Sequence, residues 1–283
     1  MMLLKPLAAC ALAMVAISNP AYLASPSSLN LDELRSAPEI GVESDHVQIT
    51  ARYSSTVLFF KVGDISVTAD LTPTSYRAET TIRAAGLAAL FADIDIQADV
   101  SGLLGPGGAA PERYGLVNTT PSKSRSVEMR FPEGVAVATA TPPFGSLGDP
   151  PASEIDRTQV LDPMTAFFIL SGLVPGIAEA NCSGSLPVFD GKQRYEIRLR
   201  AAGTQRIRTE AWSGEARICE AWYFPVSGYD PEDYPTEREM RYPLLIWLAT
   251  FADNQIQIPV RIFTRAGLGG VTIEARSIEL TEG

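Results

Sequence analysis

Few residues in this chain are suited to chemistry: three cysteines, one histidine and scattered carboxylates. Cys10 lies in an apolar N-terminal stretch, so Cys182 and Cys219 are the pair in the body of the chain. Residues 1–24 carry one early charge, Lys5, and an apolar core from Leu7 to Ile17, the layout of an export leader. Beyond such a leader the chain meets an oxidising compartment, where two lone thiols become a structural bridge. A reduced buried pair and a redox switch are the other readings, but a redox pair is more typically C-x-x-C, which is absent. In the chain-entropy model, a bridge closing a loop of this length contributes about 4 kcal/mol.

The rest of the reactive inventory is thin. A Ser-His-Asp triad would have to use His46, and no G-x-S-x-G elbow accompanies it. One histidine cannot build an H-E-x-x-H zinc site. The glycines at 102–108 and 267–270 are not followed by Lys-Ser/Thr, so neither reads as a phosphate loop. No catalytic residue, metal ligand or cofactor is expected. Two carboxylates suffice for glycoside hydrolysis, and Asp156 with Asp162, or Asp230 with Glu232, are the pairs the chain offers. Arg198, Arg200, Arg206 and Arg208 cluster across an expected hairpin and read either as an anion site or as a solvated sheet face paired with Glu196 and Glu210. The loop 225–243, stiffened by four prolines, presents Tyr229, Tyr234 and Tyr242 to a partner or uses them to cap a core.

What must position these residues is a chain of 283 residues, 46% hydrophobic, with a net charge of −10. The length suits one large all-β domain, and the acidity argues against nucleic acid and against an anionic membrane surface. No run after the leader is long and apolar enough to span a bilayer as a helix. Leu7-Ala8-Ala9-Cys10 has the form of a lipoprotein processing box, so lipidation or an uncleaved anchor stand beside soluble periplasmic export. Residues 25–44, rich in Ser and Pro, read as a flexible tether, and 45–283 as a single β-rich domain.

Period-two alternation dominates that domain. Val47, Ile49, Ala51 and Tyr53 alternate with polar residues, as do Ile65, Val67, Ala69 and Leu71, and the run at 93–100. Such a pattern belongs to an antiparallel sheet with one covered face. The glycines at 102–108 read as a flexible loop, and the Pro/Gly-rich stretch 142–151 as a surface connection within the domain. One helix is expected near 162–173. Asp162 would cap it, Pro163 suits its first turn, Phe167 and Phe168 make it apolar, and Gly172 or Gly176 would end it. Asp190-Gly191 marks a tight hairpin. Strands are expected over Thr204–Trp212, Ala216–Phe224, Leu244–Phe251, Ile256–Phe263 and Val271–Leu280, with turns at Ser213-Gly214 and Asp253-Asn254. The expected fold is all-β: a strongly curved antiparallel sheet, an open barrel or β-spiral of about twelve strands, wrapped on the short helix.

The runs V-L-D-P-M-T-A-F-F at 160–168, C-S-G-S-L-P-V-F-D-G-K-Q-R-Y at 182–195 and R-I-C-E-A-W-Y at 217–223 carry a resemblance to a known family. With P-V-R-I at 259–262 and G-G-V-T-I-E-A at 269–275, the chain over about residues 50–280 resembles the bacterial exported family known as domain of unknown function 3108. That resemblance implies a periplasmic all-β domain and carries no catalytic residues with it. More loosely, the layout is similar to envelope-integrity proteins and lipoprotein carriers with half-barrel sheets, a likeness of architecture that does not settle function.

The expectation for function is therefore a non-catalytic periplasmic protein that supports the cell envelope by binding a protein partner or an apolar, lipid-like ligand. Phe167, Phe168, Trp212, Trp222, Tyr229, Tyr234 and Trp247 are its candidate cavity or partner-binding residues, core packing being their other use. A carrier of lipid or lipoprotein acyl chains and a two-carboxylate hydrolase of envelope polysaccharide are the alternatives. A carrier needs an open apolar cavity of roughly several hundred cubic ångströms.

Overall fold

The structure is a computed structural model. It describes residues 46–283 apart from 87–88, 90–93, 122, 174–181, 238, 252–255 and 267–268. The expected leader and tether, the turn at Asp253-Asn254 and Gly176 lie outside the described residues.

Thirteen strands form one antiparallel sheet: β1 (Val47–Val57), β2 (Phe60–Leu71), β3 (Ser75–Ala84), β4 (Asp95–Gly105), β5 (Gly108–Asn118), β6 (Arg125–Arg130), β7 (Val137–Thr141), β8 (Gly184–Phe189), β9 (Arg194–Arg208), β10 (Ser213–Ser227), β11 (Leu244–Phe251), β12 (Ile256–Ala266) and β13 (Gly269–Glu282). The spatial order is β7-β6-β5-β4-β3-β2-β1-β13-β12-β11-β10-β9-β8. Every pairing is between strands adjacent in sequence except β1 with β13, which joins the first and last strands. The sheet is curved and unclosed, with β7 and β8 at its edges. Residues 158–161 run between those edges: Thr158 bridges to Val135, just before β7, and Leu161 bridges to Val188 of β8.

The alternation in sequence explains the two faces. Val47, Ile49, Ala51 and Tyr53 of β1 are buried, as are Tyr76 and Ala78 of β3 and Ile96, Ala98 and Val100 of β4. Their polar neighbours face outward. In the C-terminal half, Tyr195, Ile197 and Leu199 of β9 and Cys219, Ala221 and Tyr223 of β10 continue the inner face.

The concave side holds α1 (Pro163–Ser171), the one α-helix among the described residues. It packs against β4, β5, β8 and β12. Eight of its nine residues are buried, so it is a plug with no solvent face. Burying Met164, Phe168, Ile169 and Leu170 contributes about 1.5–3 kcal/mol each. Asp162 accepts hydrogen bonds from the N–H groups of Met164 and Thr165, both at 2.9 Å, and so satisfies the first helical donors. Gly172 ends the helix in the left-handed region at φ 73°.

Three expectations are corrected. The Thr204–Trp212 strand and the preceding return strand are one continuous strand, β9, so Arg198, Arg200, Arg206 and Arg208 lie on a single strand rather than across a hairpin. Residues 200–206 are exposed on both faces and held by pairing to β10, so burial imposes no alternation there. The β9–β10 turn accordingly falls at 209–212 and not at Ser213-Gly214, which opens β10. The 102–108 loop is also mostly strand, because the ladder of β4 with β5 runs on to Gly105 opposite Gly108. Gly102 is needed there: a Cβ would stand 2.5 Å from the Tyr76 hydroxyl and 2.4 Å from the Ala110 carbonyl oxygen.

Asp190-Gly191 does turn the β8–β9 hairpin. The Asp190 carboxylate accepts from the N–H groups of Lys192, at 2.9 Å, and Gln193, at 2.7 Å. Gly191 sits at φ 105°, and a Cβ would come within 2.6 Å of Val127 Cγ1. The turn therefore tucks against β6 and brings the two halves of the sheet together.

Candidate functional site

Two rows of inner-face residues cross β1 to β4 in register. Tyr53, Ile65, Ile82 and Ile96 make one row; Ala51, Val67, Thr80 and Ala98 make the other. Pro163, Met164, Phe167 and Phe168 of α1 lie against them, and Ile262 of β12 and Ile273 of β13 complete the lining. All of these except Ala51 line a partly open apolar cavity of about 80 Å³. Phe167 and Phe168 meet edge to face, their centroids 6.2 Å apart. Of the aromatic residues singled out in the sequence, these two reach the cavity; Trp212, Trp222, Tyr229, Tyr234 and Trp247 do not line it. A space of this size is far below the several hundred cubic ångströms typical of ligand pockets.

Beside the cavity runs a buried polar chain. Thr165 donates its hydroxyl hydrogen to Asp162 Oδ2 at 2.6 Å. The Tyr76 and Thr165 hydroxyls lie 2.8 Å apart. A hydroxyl has one hydrogen, and that of Thr165 is already given to the carboxylate, so Tyr76 is the donor to Thr165. Burial pushes the Asp162 carboxyl up to about 6, against the lowering effect of the bonds from Thr165 and Met164. Burial likewise raises the Tyr76 hydroxyl, and the Asp162 charge adds to the effect.

Cys182 and Cys219 form a disulfide with Cα atoms 5.5 Å apart, and both residues are buried. The link ties the segment before β8 to β10 across β9.

The other aromatic candidates sort into two groups. Tyr195 stacks on Tyr223 with centroids 4.6 Å apart; Tyr223 and Tyr229 share a hydroxyl–hydroxyl hydrogen bond; Tyr234 meets Tyr229 edge-on at 5.7 Å. This tyrosine ladder runs from the core out to a half-exposed Tyr234. The second group lies on the outward side of β9 to β12, where arginines lie over aromatic rings, although Trp247 is itself buried. Arg198 covers Phe224 at 4.0 Å, Arg200 lies 5.9 Å from Trp222, and Arg261 lies 5.8 Å from Trp247. Arg200 also pairs with Glu220 at 2.6 Å, and the same carboxylate accepts from the Trp222 indole at 3.1 Å. Trp247 donates to Gln205 at 2.9 Å. Trp212 is half-buried beside Gly214, and a Cβ on that glycine would touch its ring at 2.8 Å.

The carboxylate pairs proposed from sequence are engaged separately. Asp156 accepts from the backbone and hydroxyl of Ser153 and from Ser227, and these bonds hold its carboxyl below the usual range. Asp162 is the helix cap. Asp230 is held low by Lys192 and Ser146. His46 lies 3.3 Å from Asp70, on the outer end of β2. Among the described residues no group of three or more His, Cys, Asp or Glu side chains is placed to hold a metal ion, and no helix is long and apolar enough to cross a membrane.

Sequence reasoning missed Phe224 and Arg261 of the outer face and Tyr53, Ile65, Ile82 and Ile96 of the cavity. Strand parity was the available signal for the latter, since all four occupy inward positions; Phe224 needed the β9–β10 register, which sets it diagonal to Arg198.

A single curved, unclosed antiparallel sheet wrapped on a buried helix defines an all-β protein. Residues 48–276 match the family described as protein of unknown function (DUF3108), and the chain belongs to that family. Among solved structures, it is similar to a β-barrel-like protein of domain of unknown function DUF1849 from Brucella abortus, with 10% identity, 84% of this chain and 98% of that chain covered, and a TM-score of 0.48. A DUF1329 family protein from Desulfovibrio piger is similar at 9% identity, with 88% and 90% covered and a TM-score of 0.26. No curated protein matches the chain.

Proposed function

We propose that this protein is a non-catalytic periplasmic protein that supports the cell envelope by binding a protein partner through the outer face of β9 to β12. In this reading residues 1–24 are the export leader, 25–44 the tether and 45–283 the single β-rich binding domain. The observation that carries the proposal is the series of arginines laid on the half-buried rings of Phe224 and Trp222, continued by Arg261 over the buried Trp247. Tryptophan, tyrosine and arginine are the residues in which binding energy concentrates at protein interfaces. The arginines are already oriented by the rings and by Glu220, so little side-chain entropy is lost when a partner docks. The small size of the interior cavity supports the same reading, because a carrier of acyl chains needs more space than about 80 Å³.

The test is cross-linking in the periplasm with the full chain and with the double variant Arg198→Ala/Trp222→Ala. A specific partner recovered with the wild type and reduced at least about tenfold with the variant is expected, from two hot-spot truncations. Equal recovery with both chains refutes the outer-face assignment.

A further inference from the structure

The β1–β2 hairpin ends in Leu58, Phe59 and Phe60, exposed to 55%, 99% and 57%. Val57 and Phe60 are the last paired residues, leaving Leu58-Phe59 as a two-residue turn. Such turns favour Asn-Gly or Asp-Gly, because positive φ strains other residues. Leu58 nonetheless sits in the left-handed region at φ 57°. Turn chemistry therefore does not explain these residues, and neither does packing, since Phe59 is almost wholly uncovered. Leu58 leans on Gly269 at the start of β13, where a Cβ would be 2.7 Å from its Cδ2. The same end of the sheet carries the inward apolar row Tyr53, Ile65, Ile82 and Ile96, a few residues behind the tip.

We propose that this hairpin docks the protein on a lipid bilayer by inserting Leu58, Phe59 and Phe60 into the membrane interface. Three projecting side chains offer far less than the roughly 800 Å² per partner that a stable protein interface buries, so a second copy or a flat protein surface is a poor occupant. A bilayer needs only apolar groups that reach about 5–10 Å below the headgroups, and a narrow aromatic tip does that. The cation next to the tip in sequence, Lys61, is paired with Asp64 at 2.7 Å. The tip is thus close to neutral, and the chain as a whole is acidic at −10. The lipid is therefore a zwitterionic phospholipid, and insertion is insensitive to salt. This surface shares no residue with the outer face of β9 to β12.

Phe59→Trp in the full chain tests the proposal at the tip itself. Phe59 is uncovered, so the replacement leaves folding undisturbed. The emission added over that of the three native tryptophans is read with phosphatidylcholine vesicles, with and without bromine on the acyl chains. The expected result is a blue shift of the added emission and its loss on brominated vesicles, unchanged by added NaCl. Added emission that stays water-like and unquenched overturns the proposal. A blue shift that needs no lipid and grows with protein concentration also overturns it, in favour of self-association.

Discussion

Asp162 does the most of any single side chain: it caps α1, ends the polar chain from Tyr76 and sits charged in the core. Its carboxyl is raised to about 6 from an ordinary 3.8. The folded state therefore holds this proton more tightly than the unfolded state. The stabilisation from protonation is full below about pH 4, fades between about pH 4 and 6 and is absent above. A shift of this size corresponds to on the order of 3 kcal/mol. Asp162→Asn keeps the cap acceptor and can donate to Thr165 while removing the charge. The melting temperature of the wild type should fall relative to Asp162→Asn as pH rises from 4 to 7; parallel profiles would contradict the buried charge. The Asp162-Pro163 pair made the cap legible in the sequence. The link from its partner Thr165 to Tyr76, 89 residues away along the chain, was not, because nothing local records which strand faces a helix.

At the scale of elements, the strands with clean alternation and the helix bounded by Asp162 and Gly172 were readable because each carries its own signal. β9 was not. Its outer half is exposed on both sides, and Ala201, Ala202 and Gly203 look like a break, yet the ladder with β10 carries the strand through. The disulfide acts between elements, tying the lead into β8 to β10 on the edge side of the sheet, where one neighbour is missing. Cys182→Ser should lower stability by about 4 kcal/mol, or on the order of 10 °C in melting temperature, and reducing agent should have the same effect on the wild type. A melting temperature indifferent to both would remove the bridge from the account.

For the whole molecule, β1 pairs with β13 but β7 does not pair with β8, so the sheet keeps two edges instead of closing into a ring, and residues 158–161 together with the Asp190-Gly191 turn span the gap. All-β class and curvature followed from the alternation and from the helix that needed covering. The seam followed from neither, because contacts between the first and last strands leave no mark on local pattern. The apolar and aromatic residues alone also could not distinguish a filled core from an open carrier; that depends on where α1 lies. The central claim is that α1 leaves only a small cavity in the interior and that recognition occurs outside it. Native mass spectrometry of the chain isolated from its own cells tests this most directly. The account predicts a species carrying no lipid in its interior. A stoichiometric acyl-chain adduct, displaced when Ala98→Leu fills the space beside Met164, would contradict it.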